Sequence, residues 1–301
     1  METISKRVFD LDLKEYPVLP STAPISKAVR VMQEEEVSSI VVVDDGEYRG
    51  MVSIQRILGS RLRPNSKIDN VITKTPVVSR NINIFEMAFV MSRLGLTAMP
   101  ILKSKKEILV VDALTLSHAL SQTPQLENLL VEDVMETAKW LSPMDTISKA
   151  KKMLVDEGIH SIPIVSDDRI VGILVARDIA ALVFTTPYRR QTMGEVVGEQ
   201  LIYLGMPVRS IMMHPVYTTK TLTYLSKAVQ EMVQRNISAL PVLNSEDKLV
   251  GLLSTKAIIR YASTLLPQPT LPVSFRIPED LDPFVRSLIE RKIIDLSLIH
   301  I

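Results

Sequence analysis

Apolar residues recur at helical spacing at Ile147, Ala150, Met153 and Leu154, which predicts a helix over Ile147 to Glu157 with one face toward a core. A β-branched run from Ser161 to Val165 follows and predicts a strand. Ser166 to Arg169 read as a turn. Ile170 to Val175 read as a second strand running into a short helix near Asp178.

The same order returns along the chain. Thr146-Ile147-Ser148-Lys149-Ala150, Gly158-Ile159-His160-Ser161-Ile162-Pro163 and Val171-Gly172-Ile173-Leu174 correspond to Leu225-Ser226-Lys227-Ala228, Asn236-Ile237-Ser238-Ala239-Leu240-Pro241 and Val250-Gly251-Leu252-Leu253. A third copy runs through Pro24-Ile25-Ser26-Lys27-Ala28, Val37-Ser38-Ser39-Ile40 and Arg49-Gly50-Met51-Val52. The weakest copy holds Ile84-Phe85-Glu86-Met87-Ala88, Leu96-Thr97-Ala98-Met99-Pro100 and Leu109-Val110-Val111. From the helix alanine to the glycine position the spacing is 22, 21, 22 and 23 residues in chain order. Successive alanines lie 60, 62 and 78 residues apart, so the last junction carries an insertion, about Thr185 to Gly205, with a helix through Met193 to Val197. Each strand–helix–strand–strand–helix unit leaves an apolar face uncovered, so units pack in pairs. Four units predict two paired α/β (α+β) domains.

These residues resemble the cystathionine-β-synthase (CBS) domain family, whose pattern is close to D-V-M, then h-x-x-L-P-V-V-D, then L-V-G-I-h-T-x-x-D. The third unit carries it as Asp133-Val134-Met135, Ile159 to Val165 and Ile170 to Leu174; the fourth starts from Ser210-Ile211-Met212. The resemblance covers about residues 16 to 263. It implies two Bateman modules, residues 16–121 and 132–264, followed by a linker and extension over 265–301. It also implies clefts that hold an adenosyl compound (AMP, ADP, ATP or S-adenosylmethionine) in a regulatory protein that signals to a protein partner or dimerises, and not in an enzyme.

In the family pattern a hydroxyl and an aspartate follow the glycine. The first unit has Gly50, Ser53 and Arg56; the second Leu109, Asp112 and Thr115; the third Gly172, Val175 and Asp178; the fourth Gly251, Ser254 and Ala257. No unit keeps both groups. The resemblance points to the third unit's cleft, with Asp178 on a ribose and Thr146 and the backbone near Ile147 framing a base. Arg177 and Lys256 are placed to meet phosphate, and His160 and Ser53 fall at cleft-lining positions. The competing reading is that Ser254 and Asp178 cap the helices they precede.

Composition narrows the chemistry further. The 301 residues hold no cysteine, which removes disulfides, thiolate metal sites and cysteine nucleophiles. Neither a GxGxxG nor a GxxxxGK[ST] loop occurs. The start, Met1 to Lys6, has no apolar core, and no window approaches the roughly 20 apolar residues of a membrane helix, so a cytoplasmic protein without membrane attachment is expected. His118, His160, His214 and His300 have no metal-binding spacing, and Met87, Met91, Met153 and Met232 fall at core spacing.

The net charge of +1 hides one cluster: Arg56, Arg61, Arg63, Lys67, Lys74 and Arg80 face only Asp69. Lys103, Lys105 and Lys106 add to it. Such a run reads either as a solvated face or as a surface for an anionic partner such as RNA. The tail, with Val273, Phe275 and Ile277 alternating and Leu281, Phe284, Val285, Leu288 and Ile289 in a helical stripe, predicts β-α-β. It vaguely resembles the opening of ribosome hibernation-promoting factors. The alternative function is therefore a ribosome- or RNA-binding factor built on the same repeats.

Overall fold

Thr146 starts the expected helix by accepting a hydrogen bond from the Lys149 N–H at 3.2 Å, and Ile147, Ala150 and Leu154 are fully buried on its inner face. The computed structural model describes residues 7–11, 13, 15–79, 81–102, 108–185 and 203–266. It divides the chain into a unit of Met1–Ser263 and a unit of Thr264–Ile301. The expected helix at Met193 to Val197, the lysines at 103, 105 and 106, Arg80, His300 and the predicted β-α-β tail lie outside the described residues.

Four mixed α/β repeats follow one another in the first unit. The first is β1 (Val18–Leu19), α1 (Ile25–Glu34), β2 (Ser39–Asp44), β3 (Glu47–Ser53) and α2 (Ile54–Gly59). The second is β4 (Val78–Ser79), α3 (Ile84–Leu94), β5 (Ala98–Leu102), β6 (Ile108–Asp112) and α4 (Ala113–Ser121). After a short α5 (Val131–Val134) the third comprises α6 (Ile147–Asp156), β7 (Ser161–Ser166), β8 (Arg169–Val175) and α7 (Ala176–Thr185). The fourth is β9 (Thr219–Lys220), α8 (Leu225–Gln234), β10 (Ala239–Leu243), β11 (Leu249–Ser254) and α9 (Thr255–Thr264). In each complete repeat the short first strand runs parallel to the middle one, which pairs antiparallel with the third. The third repeat departs from the expected order. Its lead-in makes one bridge, Leu141 to Ile164, because Asp145 takes the Ser142 N–H at 2.8 Å and turns the chain directly after Leu141.

The segment ahead of each repeat packs on the other member of its pair. Asp133-Val134-Met135 belongs in space to the fourth repeat and not, as its place in the sequence implied, to the third: Glu136 and Leu252 exchange backbone bonds of 3.1 and 2.8 Å. Ser210-Ile211-Met212 likewise serves the third repeat, through Met213 and Ile173 at 2.8 and 3.0 Å. In the first half, Val8 donates to Ile82 O at 3.0 Å and Thr73 pairs with Met51. Val8, Ile68, Val131 and Val208 hold equivalent positions in these segments and are all fully buried.

The exchange explains the glycine in the strand motif. A Cβ at Gly172 would lie 2.5 Å from Met212 Sδ, and one at Gly251 2.5 Å from Met135 Sδ. Each methionine lies across the glycine of the partner repeat. At Gly50 the neighbour is backbone, Thr73 O at 2.5 Å, and φ is +145°, so a side chain there meets both a clash and strain.

Helices join the repeats the other way. One core unites Ile25, Ile57, Leu154 and Ile179 of the first and third repeats, with α1 packed on α7. A second unites Met87, Leu116, Val229 and Ile258 of the second and fourth, with α4 packed on α8. Met87, Met91 and Met232 are fully buried, and Met153 packs partly buried against the first core.

Candidate ligand-binding site

The four repeats present equivalent corners to a common centre. Each first helix ends on a residue in the left-handed region: Glu36 at φ 53°, Gly95 at 63°, Gly158 at 58° and Asn236 at 51°. That turn brings Ser38, Thr97, His160 and Ser238 to equivalent places, and all four line one cavity of about 260 Å³. Between the first and second repeats a smaller cavity of about 50 Å³ is lined by Ser53, Gln55, Thr73 and Thr75 among others. Thr97 and His160 border both spaces.

The large cavity merges the clefts of the second and third repeats. Tyr16 comes from the lead-in to the first repeat, Asp112 and Leu114 from the second, and Val175, Arg177 and Met213 from the third repeat's side. Arg177 is half-buried and makes no ion pair or hydrogen bond among the described residues. Asp178, the next residue, holds Oδ2 buried and without a partner. Burial pushes the Asp178 carboxyl above its ordinary range, and the neighbouring Arg177 opposes that rise. A buried oxygen with nothing to accept from is costly, and Asp178 itself is not among the residues lining either cavity.

His160 is held neutral, its pKa pushed down to about 4 by burial and by the charge of Lys256. Gln55 Nε2 donates to His160 Nδ1 at 3.3 Å, which leaves Nε2 as the protonated nitrogen. Tyr16 is shifted upward by burial and by Asp112, against the pull of Arg177.

The other expected site residues have different uses. Lys256 Nζ donates to Gly158 O at 3.0 Å and Glu157 O at 3.4 Å, so its ammonium closes the end of α6. Ser254 accepts from the Ala257 N–H at 3.1 Å and Ser53 from the Arg56 N–H at 3.3 Å, so both cap helices. Asp178 sits in the first turn of α7, whose preceding residue is Val175 at the position the caps hold elsewhere. Thr146 is exposed, and the Ile147 N–H is taken by Met206 O at 2.9 Å. Sequence reasoning did not single out Tyr16 or the ring of Ser38, Thr97 and Ser238, although alignment with His160 marks that ring.

Arg56, Arg61, Arg63, Lys67 and Lys74 are all exposed and carry no ion pair among the described residues. No group of three or more His, Asp or Glu suited to a metal ion occurs among those residues, and no described helix is long and apolar enough to cross a membrane.

Comparison with known proteins settles the family. The CBS domain model matches residues 8–63, 131–184 and 208–264, more than half of the chain. The chain belongs to the CBS domain family. Its second repeat lies outside the matched regions, in keeping with Leu109 at the glycine position. Protein MJ1404 of Methanocaldococcus jannaschii is 24% identical over 293 residues, 96% of this chain and 69% of that one. A 33.4 kDa protein in the ribosomal RNA operon of Thermofilum pendens is 22% identical, over 84% of this chain and 91% of that one. Among solved structures, protein MJ1225 of Methanocaldococcus jannaschii, proposed as an archaeal homologue of g-AMPK, has a TM-score of 0.71 at 20% identity, covering 85% of this chain and 99% of that one.

Proposed function

We propose that this CBS protein is a non-catalytic sensor that binds an adenosyl compound in the cavity shared by its four repeats and signals to a partner through the repeat interfaces. One observation carries the reading. Arg177, with no ion pair or hydrogen bond among the described residues, lines the cavity, and its sequence neighbour Asp178, which is not one of the lining residues, holds an unsatisfied buried oxygen, so the third repeat keeps a donor at the cavity and an acceptor just behind it. The hydroxyls of Ser38, Thr97 and Ser238 offer further hydrogen bonds to a sugar or base. A cavity bounded by every repeat gives its occupant leverage on all of them, since a ligand shifts an equilibrium only by what it contacts differently in two states. Calorimetric titration of the full chain with AMP, ATP and S-adenosylmethionine tests this. Binding of one of them, weakened at least tenfold by Asp178→Ala, is expected; silence for all three sinks the sensor.

A second reading rests on five exposed cations from Arg56 to Lys74, without ion pairs among the described residues, which match an RNA backbone. Binding of RNA that weakens steeply with salt and is lost when Arg61 and Arg63 become glutamine supports it. Absence of binding at low salt rejects it.

A further inference from the structure

Four residues hold one position in the four repeats, the second residue of the helix that follows the third strand: Gln55, Leu114, Arg177 and Lys256. All four are half-buried. The first N–H of each of these helices donates to the corner carbonyl of its own repeat, from Ile54 to Ser38, Ala113 to Thr97, Ala176 to His160 and Thr255 to Ser238. The four side chains therefore start from equivalent places around the centre.

Two of them are engaged by the chain itself. Gln55 Nε2 crosses from the first repeat to the third repeat's corner, donating to Ile159 O and, at 3.3 Å, to His160 Nδ1. Lys256 Nζ reaches the same corner from the fourth repeat, donating to Gly158 O at 3.0 Å and Glu157 O at 3.4 Å. Each spans the gap between its own helix and a neighbouring repeat. Arg177 makes no ion pair or hydrogen bond among the described residues, and Leu114 has no polar group to make such a span. These two line the cavity of about 260 Å³. Where Gln55 crosses, the space left is about 50 Å³, and Lys256 lines neither cavity.

A drug-sized ligand fills roughly 300 Å³ or more. The large cavity comes near that size and the small one falls far below it. A ligand entering at Gln55 or Lys256 must also break hydrogen bonds already made. For the ammonium that costs about tenfold or more in affinity.

We infer that Gln55 and Lys256 are built-in plugs that close the clefts of the first and fourth repeats, so that a chain with four equivalent corners takes one ligand, in the cavity that Leu114 and Arg177 leave open. The inference rests on the adenosyl-binding reading above and adds the number of ligands and the residues that set it.

Equilibrium dialysis of the full chain at saturating AMP, ATP or S-adenosylmethionine counts the bound molecules. The unaltered chain should hold one. Gln55→Ala and Lys256→Ala each remove a plug and should raise the count toward two. Lys256→Arg keeps a donor for the α6 carbonyls and should leave it at one. A count of two or more in the unaltered chain or in Lys256→Arg, or a count still at one in both alanine variants, overturns the plugs and leaves the sensor reading standing. Binding in an alanine variant with none in the unaltered chain supports the plugs and rejects the open cavity as the sensor's site. Silence from every chain with all three ligands overturns both.

Discussion

The two halves of the repeat array solve one packing problem differently. Between the first and second repeats, Val41, Met51, Ala98 and Val110 are buried against one another with Tyr16, Val43 and Tyr48 packed alongside. The tyrosine hydroxyl of Tyr48 donates to Thr75 O at 3.2 Å, and burial pushes its pKa up to about 12. At the positions of Met51 and Val110, the third and fourth repeats carry Ile173 and Leu252, which are only half-buried. The same half holds Arg177, without an ion pair among the described residues, and the unsatisfied Asp178 oxygen. The first pair packs apolar side chains between its sheets and keeps a cavity of about 50 Å³ beside one unsatisfied buried oxygen, Gln55 Oε1, whereas the second turns Arg177 to the large cavity and buries the unsatisfied Asp178 oxygen. The frame is thus common to both halves, while the guanidinium that lines the large cavity comes from the second.

The largest effect that separates them is expected at the glycines. Gly50→Ala drives a Cβ into backbone and should destabilise the protein by about 3 kcal/mol in chemical denaturation. Gly172→Ala meets only the flexible end and stem of Met212, and its cost should be about 1 kcal/mol. Equal costs would show that the exchanged segments grip both halves alike.

A smaller effect, of opposite sign, is expected at Asp178. Its folded pKa is raised, so the proton is held more tightly folded than unfolded; the associated stability is full below the unfolded value of 3.8 and is lost as pH rises through the folded value. Asp178→Asn should therefore stabilise the protein by about 1 kcal/mol at pH 7 and by less at pH 3. His160 works the other way. Its folded pKa is depressed to about 4, so stability is full above 6.5 and falls as pH drops through about 4. His160→Gln should flatten the acid side of the stability curve between those values. The smallest change is Ser53→Ala, which removes a helix cap at a cost of about 1 kcal/mol or less and should leave ligand affinity untouched.

Much of this frame was legible in the sequence because repetition amplifies weak signals. The helix over Ile147 to Glu157 and the strands around Pro163 and Gly172 stand within a residue or two of where periodicity placed them. The site was less legible, since it is made at corners where four repeats converge. Lys256 looks like a phosphate ligand in one dimension, but in three its reach ends on the carbonyls of another repeat. Asp133 to Met135 reads as part of the third repeat because chain order hides the exchange. Tyr16 precedes the first recognisable motif, and only its burial near Asp112 and Arg177 makes it part of the cavity.

The proposal that Arg177 of the second half holds the ligand is tested most directly by calorimetric titration of Arg177→Ala and Ser53→Ala, side by side with the unaltered chain, using the adenosyl ligand that binds tightest. Affinity should fall at least about tenfold in Arg177→Ala, as expected for losing a charged hydrogen-bond donor, and stay within about twofold in Ser53→Ala. Loss in Ser53→Ala with full affinity in Arg177→Ala would place the ligand in the first half and contradict the account.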